Sequence, residues 1–168
     1  MNGNKLKMSK INIRKAKVDD AGQIAEVMLE FYNMKNTNEA KNAFRSELEK
    51  GHNYIIAVEN KKIIGLITWV MHGLPKHGLF ELDRICVLNN SRGKGVGNIL
   101  VKSLIEDARH WYEKSGSKIR KLYLLTHDDN KSAQLFYQKV GFKYETKLEN
   151  HYYDDKDERM YSIFFHYK

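Results

Sequence analysis

One short stretch of this sequence has residue types and a spacing that suit phosphate binding. Arg92-Gly93-Lys94-Gly95-Val96-Gly97 follows an apolar, strand-like run over 80–88 and opens a strongly amphipathic helix. Glycines let the backbone turn tightly and bring several N–H groups close to one anion, while the positive end of the following helix attracts negative charge to the same point. The stretch therefore predicts a cradle for the diphosphate of a ligand.

Two common nucleotide-binding loops do not match this stretch. The dinucleotide fingerprint needs Gly-x-Gly-x-x-Gly, but the three glycines here alternate and residues 98–100 contain no further glycine. A Walker-type loop needs Gly-x-x-x-x-Gly-Lys-Ser/Thr, whereas Lys94 follows a single glycine and is itself followed by Gly95. The pattern that is left is Arg-x-x-Gly-x-Gly between a strand and a helix.

A second motif lies downstream, over residues 130–142. Asn130 is a good helix N-cap and Gly141 is a good helix stop. The intervening residues recur at helical spacing: Ala133, Phe136, Tyr137 and Val140. With the glycine loop upstream, the pattern Asn-x-x-Ala-x-x-Phe-Tyr-x-x-x-Gly-Phe resembles the GCN5-related N-acetyltransferase (GNAT) family over about residues 11–165.

The elements that must position these motifs follow from the periodicity of apolar residues. It predicts strands at 11–14, 54–58, 63–71, 79–88, 119–126, 142–148 and 160–165, and helices at about 21–31, 38–50, 96–111 and 130–140. If the fourth and fifth strands are parallel, both motifs lie beyond their carboxyl ends, where ligands bind in open α/β sheets. The two motifs then converge on one place by topology alone.

The resemblance implies a definite fold. It is an α/β (α+β) single-domain GNAT-like fold, with a mixed central sheet of about six to seven strands flanked by about four helices. The sheet is splayed between the fourth and fifth strands. We expect residues 1–10 to be a flexible N-terminal segment and residues 11–168 to form one N-acetyltransferase domain.

The chemistry that the resemblance implies is direct transfer of acetyl from acetyl-CoA to a primary amine in a ternary complex. An alkylamine with a pKa near ~10.4 is mostly ammonium at neutral pH, so a base must first remove a proton. Glu81 is the candidate, because it occupies the part of the fourth strand where the family often has an acidic residue. Asp83 and a water molecule are the rivals, and either carboxylate could equally be a solvated one paired with Arg84.

Negative charge then develops on the thioester oxygen and on the departing sulfur. For the oxygen, the resemblance implies backbone N–H groups near Cys86, Val87 and Leu88. For the sulfur, it implies Tyr137 as the group that returns a proton, although a core aromatic on the helix face fits the same spacing. Cys86 is read as a small buried hydrophobe rather than a nucleophile.

The resemblance also assigns binding residues. Acetyl-CoA is expected to contact Ile85, Cys86, Val87, Arg92, Gly93, Lys94, Gly95, Val96, Gly97, Asn98, Asn130, Ala133, Phe136 and Tyr137. Contacts with the amine acceptor are predicted at Phe31, Tyr32, Asp83 and His127. The spacing of His72 and His77 completes no metal site, so no metal is expected, and both histidines are read as parts of a surface loop.

Composition sets the remaining bounds. The chain has 168 residues, 42% of them hydrophobic, one cysteine and a formal net charge of +8. This length and hydrophobic content are enough for one folded core. A single cysteine suits a reducing compartment. The lysines are scattered rather than clustered on one face, so they fit steering of an anionic ligand better than nucleic-acid binding. No apolar run approaches a membrane span, so we expect a cytoplasmic monomer or homodimer without nucleic-acid or membrane partners.

The identity of the amine acceptor stays open between polyamines, other small amines and peptide or protein amines, because fold alone does not select among them. A non-catalytic acyl-CoA-binding sensor or interaction module is the alternative function.

Overall fold

A computed structural model of the protein describes residues 10–166. The predicted flexible segment at 1–10 lies outside these residues, apart from Lys10. The element order is β1 (Asn12–Lys15), α1 (Ala21–Phe31), α2 (Thr37–Glu49), β2 (Asn53–Glu59), β3 (Lys62–His72), β4 (Leu79–Val87), α3 (Val96–Lys114), β5 (Lys121–His127), α4 (Lys131–Lys139), β6 (Lys143–Tyr153) and β7 (Lys156–Phe164). Within residues 10–166, no helix has the length and apolar character needed to cross a bilayer.

All seven strands form one mixed sheet in the order β1-β2-β3-β4-β5-β7-β6. Every neighbouring pair is antiparallel except β4 and β5, which are parallel. Their parallel ladder runs only from the pair Leu79–Lys121 to the pair Glu81–Tyr123. Beyond that point the two strands are not paired, which confirms the predicted splay.

Each face of the sheet has its own core. On one face, Trp69 and Phe80 are fully buried with residues of α3 and with Tyr137 of α4. On the other face, Ile24 of α1 and Phe44 of α2 are fully buried against β2 and β3. The sheet is therefore the middle layer between two pairs of helices.

A β-bulge in β4 decides which side chains point to which core. The register against β3 shifts at Asp83, so that residue is extra and the alternation of side chains changes there. Leu82 before the bulge and Ile85 after it pack on the α3 side. Cys86 packs on the α1 side, and Arg84 contacts α2.

The tight turns lie where the sequence places them. The β2–β3 hairpin turns at Asn60 and Lys61, whose φ angles of 49° and 65° suit a two-residue turn. The β6–β7 hairpin turns at Asp154 and Asp155, although both strands extend further toward that turn than the sequence pattern predicts.

Two details of the helices differ from the prediction. The helical spacing of apolar residues predicts Ile99 on the buried face of α3, but Ile99 is 39% exposed, while Val101 and Tyr112 are buried. The sequence also predicts Asp19 or Asp20 as the cap of α1; Asp20 occupies the N-cap position, yet its carboxylate makes no capping hydrogen bond with α1. It accepts two hydrogen bonds from Arg14 at 2.7 and 2.8 Å, because a guanidinium offers a stronger, bidentate partner.

Candidate functional site

The glycine loop forms an open surface of backbone donors. Gly93 and Gly95 have φ angles of +75° and +80°, and a Cβ on either would meet nothing within 4 Å. Gly95 occupies the N-cap position of α3 and provides no capping side chain, and the first helical bond runs from the N–H of Ile99 to the Gly95 carbonyl. The N–H groups of residues 96–98 therefore have no acceptor inside the helix, which suits an anion.

Gly97 has a packing role instead. A Cβ at this position would lie 3.0 Å from two ring carbons of Phe136 and 3.9 Å from Cδ1 of Ile85. The glycine thus lets α3 approach α4 closely beside the end of β4. This packing holds the glycine loop next to the gap between β4 and β5.

Arg92 ties the loop to the rest of the domain. Its Nε donates to the carbonyl of Val87 at 3.0 Å, and its Cζ lies 5.0 Å from the centroid of the Phe31 ring. Phe31, predicted as an acceptor contact, therefore lies against the loop. Lys94 and Asn98 are exposed at the same end of α3.

The gap itself begins after Glu81. From there to Val87, β4 has no strand on its β5 side within the described chain, so its backbone groups on that edge line an open slot. Cys86 is 2% exposed and its Sγ lies 3.6 Å from the hydroxyl of Tyr32. Burial raises the pKa of the Cys86 thiol to about 11. The N–H of Leu88, which was predicted to bind the oxyanion, does not face this slot. It donates instead to the carbonyl of Ile64 on β3.

α4 places Tyr137 beside this gap. Asn130 caps the helix as predicted, since its side chain accepts a hydrogen bond from the N–H of Ala133 at 3.2 Å. Tyr137 is 8% exposed, and burial and then the neighbouring Cys86 raise the pKa of its phenol well above its ordinary value. Among residues 10–166, the Tyr137 hydroxyl takes part in no hydrogen bond.

Glu81 lies at the opening of the splay, on the last residue pair of the parallel ladder. Its Oε2 accepts a hydrogen bond from the hydroxyl of Tyr123 at 3.0 Å and lies 2.7 Å from Nε2 of His72. The side chain of Glu81 is 13% exposed, and that of His72 is 40% exposed. His72 is the last residue of β3, so the prediction that it belongs to a surface loop was wrong. Cross-strand contact brings it to the carboxylate.

Asp83 faces a different set of partners. Its Oδ2 accepts from the hydroxyl of Thr68 at 3.2 Å and lies 3.7 Å from Nδ1 of His52 and 3.9 Å from Nε of Arg84. Arg84 in turn donates to Glu47 at 2.5 Å. The carboxylate of Asp83 is thus part of an ion-pair network, whereas that of Glu81 contacts the hydroxyl of Tyr123 and the imidazole of His72.

Glu47, His52 and Asp83 bring three possible metal-ligand atoms within 4.8 Å of one another. The guanidinium of Arg84 already binds the carboxylate of Glu47, and it also lies beside the carboxylate of Asp83. A second cation at this cluster would meet that positive charge. The hydroxyl of Tyr54 donates to the same oxygen of Glu47 as Arg84 does, so this oxygen already accepts two hydrogen bonds.

A groove lies across β5 and β7, beside the two residues that contact Glu81, His72 and Tyr123. It contains a cavity of about 310 Å³ whose lining residues are His72, Leu79, Lys121, Tyr123, Leu125, Leu148, His151 and Met160. His127, a predicted acceptor contact, lies on the same face of β5, four residues beyond Tyr123. Its Nδ1 lies 2.6 Å from Oε1 of Glu158. Tyr32, another predicted contact, packs its ring 5.1 Å from Cζ of Arg84.

The glycine loop and the capped α4 were predicted from local patterns, Glu81 from the family resemblance, and Arg84 as a partner of a neighbouring carboxylate. His72, Tyr123 and Glu158 were not predicted at this site, because each enters it through pairing or packing with an element distant in sequence. The sequence held one weak signal for Tyr123. In an alternating strand over 121–127, Tyr123 lies on the same face as His127, a predicted acceptor contact.

Comparisons with known proteins agree with this geometry. Residues 22–142 match the family profile described as "Acetyltransferase (GNAT) family". Spermine/spermidine N(1)-acetyltransferase of Bacillus subtilis is 30% identical over 91 residues, which is 50% of this chain and 57% of that protein. The chain thus spans little more than half the length of this curated relative.

Many solved structures share the fold, and two of them serve as examples. An N-acetyltransferase from Staphylococcus aureus Mu50 superposes with a TM-score of 0.72 at 22% identity, covering 93% of this chain and 99% of that one. A variant of spermidine N-acetyltransferase SpeG from Vibrio cholerae superposes with a TM-score of 0.73 at 17% identity, covering 92% and 93%.

Proposed function

The chain belongs to the GNAT acetyltransferase family, and on this premise we propose that it transfers acetyl from acetyl-CoA to a primary amine by direct attack in a ternary complex. One observation carries the proposal: β4 and β5 part at the residue pair Glu81–Tyr123, where a carboxylate is held by a phenol and an imidazole. A base is thus placed at the mouth of the slot that the donor would enter.

The residues around the slot fit the donor. The N–H groups of residues 96–98 would hold its diphosphate, with Lys94 adding positive charge at the same helix end. The open edge of β4 over 85–87 would pair with the amide groups of its arm, as an added strand does. Acetyl-CoA supplies a thioester whose acyl carbon is open to attack by an amine.

Glu81 is the general base in this proposal. It would accept the proton of the acceptor's ammonium, directly or through water, and orient the free amine toward the slot. His72 lies 2.7 Å from the carboxylate and is 40% exposed, so it offers that proton a route to solvent. Asp83 is less suited, because its carboxylate already accepts a hydrogen bond from Thr68 and lies beside His52 and Arg84.

Tyr137 is the general acid in this proposal. Its raised pKa keeps the phenol protonated at neutral pH, and its ring lies near Cys86 of β4. It would return a proton to the sulfur that leaves. The developing oxyanion would be met by the N–H of Val87, since that of Leu88 donates to β3 and that of Cys86, two residues earlier, faces the same side.

The acceptor is best supported as an amine with additional positive charge. Burial raises the pKa of the Tyr152 phenol, and the charges of Glu81, Asp83 and Glu158 raise it further, so three carboxylates lie near this end of the β6–β7 hairpin. Their negative charge favours a polycation such as a polyamine, and the relatives named above are called spermine/spermidine and spermidine acetyltransferases. We place the reaction in the cytoplasm, where the lone buried cysteine stays reduced.

Two measurements test the proposal. Release of free CoA from acetyl-CoA should depend on an added amine, with polyamines among the best acceptors in a panel that includes amino acids and peptides. Thermal unfolding should show a higher midpoint with acetyl-CoA than with ATP, since ligand at 100 times Kd adds about 2.7 kcal/mol. Stabilisation without turnover on any amine would support the non-catalytic acyl-CoA-binding alternative, and the absence of both would refute the proposal.

A further inference from the structure

The proposed reaction gives the developing oxyanion one backbone donor, the N–H of Val87. The N–H of Leu88 donates to β3, and that of Cys86 faces the same side of β4. Ile85 lies on the open edge with Val87 and is left to pair with the arm of the donor. Oxyanion sites commonly bring more than one preorganised donor to the oxygen. A hydroxyl held beside Cys86 would complete this site.

Tyr32 places a hydroxyl there. It directly follows α1 as the C-cap of that helix, and its side chain packs with the core on the α1 side of the sheet. Its hydroxyl lies 3.6 Å from Sγ of Cys86, and among residues 10–166 this thiol is its single hydrogen-bonding partner, acting as the donor. Because a thiol is a weak partner, the O–H of Tyr32 can still be donated to a stronger acceptor.

Arg84 holds the ring of Tyr32. Its Cζ lies 5.1 Å from the centroid of that ring, within the range of a cation–π contact. The guanidinium is itself fixed, since its Nη1 donates to Glu47 at 2.5 Å and to the hydroxyl of Tyr54 at 3.1 Å. Burial raises the pKa of the Tyr32 phenol well above its ordinary value, while the charge of Arg84 acts in the opposite direction. The hydroxyl therefore stays protonated at neutral pH, and the nearby cation strengthens it as a hydrogen-bond donor.

Tyr32 and Tyr137 approach Cys86 from opposite faces of the sheet. Tyr32 packs with the core on the α1 side, whereas Tyr137 packs with the core on the α3 side. Burial raises the pKa of both phenols, Cys86 raises both further, and Tyr137 adds to the rise in Tyr32. The three groups thus lie near one another beside the edge of β4 that no strand of the described chain covers. A thioester in the slot would have one protonated phenol toward each face of the sheet.

Resting on the proposed function, we propose that Tyr32 is a catalytic residue whose hydroxyl donates a hydrogen bond to the carbonyl oxygen of the thioester. As the amine nitrogen bonds to the acyl carbon, the π electron pair of the carbonyl moves to that oxygen. Tyr32 and Val87 then stabilise its charge until the carbon–sulfur bond breaks and the pair returns. Tyr32 keeps its proton throughout, so the proton balance of the proposed reaction is unchanged. Each phenol thus serves a different atom of the thioester, Tyr32 the oxygen and Tyr137 the sulfur.

Infrared spectroscopy of bound acetyl-CoA tests this contact without any acceptor. A hydrogen bond to a carbonyl lowers its stretching frequency, and a carbon-13 label in the acetyl carbonyl identifies that band. We expect a higher frequency in Tyr32→Phe than in the wild-type protein, whereas Tyr137→Phe should leave the band in place. Tyr32→3-fluorotyrosine introduces a more acidic phenol and should lower the frequency below that of the wild type. Equal frequencies in the wild type and Tyr32→Phe would overturn the inference.

Kinetics separate this role from the contact with the acceptor amine that the sequence predicts for Tyr32. Tyr32→Phe keeps the ring and its contact with Arg84, so it should fold, bind acetyl-CoA and retain the KM for the amine. Its kcat should fall about 10²-fold, as expected for the loss of one oxyanion donor. Tyr144→Phe, the same exchange at a ring that is 49% exposed, should change neither quantity. A raised KM with an unchanged kcat would place Tyr32 at the acceptor and overturn the inference.

The two measurements together distinguish this inference from the proposed function. Acetylation of an amine by the wild type, with undiminished kcat in Tyr32→Phe, would refute the role of Tyr32 alone. A carbonyl band that moves in Tyr32→Phe, while no amine is acetylated, would support the contact and contradict the transfer reaction. Failure of the wild-type protein to bind acetyl-CoA would refute both.

Discussion

The hydroxyl of Tyr123 donates to Oε2 of Glu81 at 3.0 Å, and these two residues form the last pair of the parallel β4–β5 ladder. The contact joins the two strands at the point where they separate. It therefore holds the proposed base at the mouth of the slot rather than elsewhere along β4. Burial, followed by the charge of Glu81, raises the pKa of the Tyr123 phenol well above its ordinary value, so the donor stays protonated.

The first prediction concerns this carboxylate. Glu81→Gln should lower kcat/KM about 10²-fold or more, because an amide cannot accept the ammonium proton. The rate of Glu81→Gln should rise at high pH, where the acceptor amine is deprotonated without a base. Such a rise would identify deprotonation of the acceptor as the step that the variant has lost. Glu149→Gln, at a side chain that is 79% exposed on β6, is the control. An unchanged rate in Glu81→Gln would transfer the role to Asp83 or water.

The second prediction concerns the proposed acid. Tyr137→Phe should lower kcat about 10²-fold while leaving the affinity for CoA nearly intact, because only the hydroxyl is removed from a packed ring. Single-turnover rates and calorimetric binding of CoA measure the two quantities separately. Tyr144→Phe, at a 49% exposed ring on β6, serves as the matched control. Turnover unaffected by Tyr137→Phe would remove the acid role.

The third prediction concerns the glycine loop. Gly95→Glu should abolish binding of acetyl-CoA, because it places bulk and negative charge beside the donors of α3. Gly116→Glu is a closely matched control, since Gly116 also has a positive φ, of +70°, and an open Cβ position. Both variants should lose about 1–3 kcal/mol of stability to backbone strain, but only the first should lose binding in a thermal shift measurement. Normal binding in Gly95→Glu would show that the diphosphate lies elsewhere.

The fourth prediction concerns acid stability. Arg14 holds the pKa of Asp20 below its ordinary value, so the folded state binds that proton more weakly than the unfolded chain does. The pair therefore stabilises the fold above pH ~3.9 and the contribution is lost as pH falls through the lowered pKa. Urea unfolding at pH 7 and pH 2.5 should show a loss of stability that is smaller in Arg14→Gln, by about 1 kcal/mol or less.

Arg45→Gln, at an exposed position of α2, is the control for that experiment. It should keep the acid-induced loss of the wild-type protein. An identical loss in wild type and Arg14→Gln would show that the Arg14–Asp20 pair does not contribute.

The fifth prediction concerns Cys86, the single cysteine of the sequence. With burial raising its pKa to about 11, about 10⁻⁴ of the thiol is ionised at pH 7. Iodoacetamide should label the folded protein far more slowly than the protein unfolded in guanidinium, as mass spectrometry can show. Rapid labelling of the folded protein would reopen a nucleophilic role for the thiol.

Both motifs are local in sequence, and local physics accounts for their success. Gly93 and Gly95 take positive φ angles because only glycine does so without cost, and Asn130 caps α4 because its side chain reaches an N–H three residues on. The periodicities of strands and helices likewise depend only on near neighbours. The buried face of α3 was predicted less well. Ile99 is exposed and Tyr112 is buried because of the elements that pack against α3, which helical spacing does not show.

The sequence by itself determined the family, the order of the elements, the glycine loop, the capped α4 and the choice of Glu81 as a candidate base. Only the tertiary structure decided which groups meet that carboxylate, because His72 and Tyr123 reach it from β3 and β5 through strand register. It also decided the bulge at Asp83 and the burial of Glu158 behind His127. Backbone conformation and periodicity are set by neighbours in sequence, whereas register, bulges and cross-strand contacts depend on how distant segments pack together.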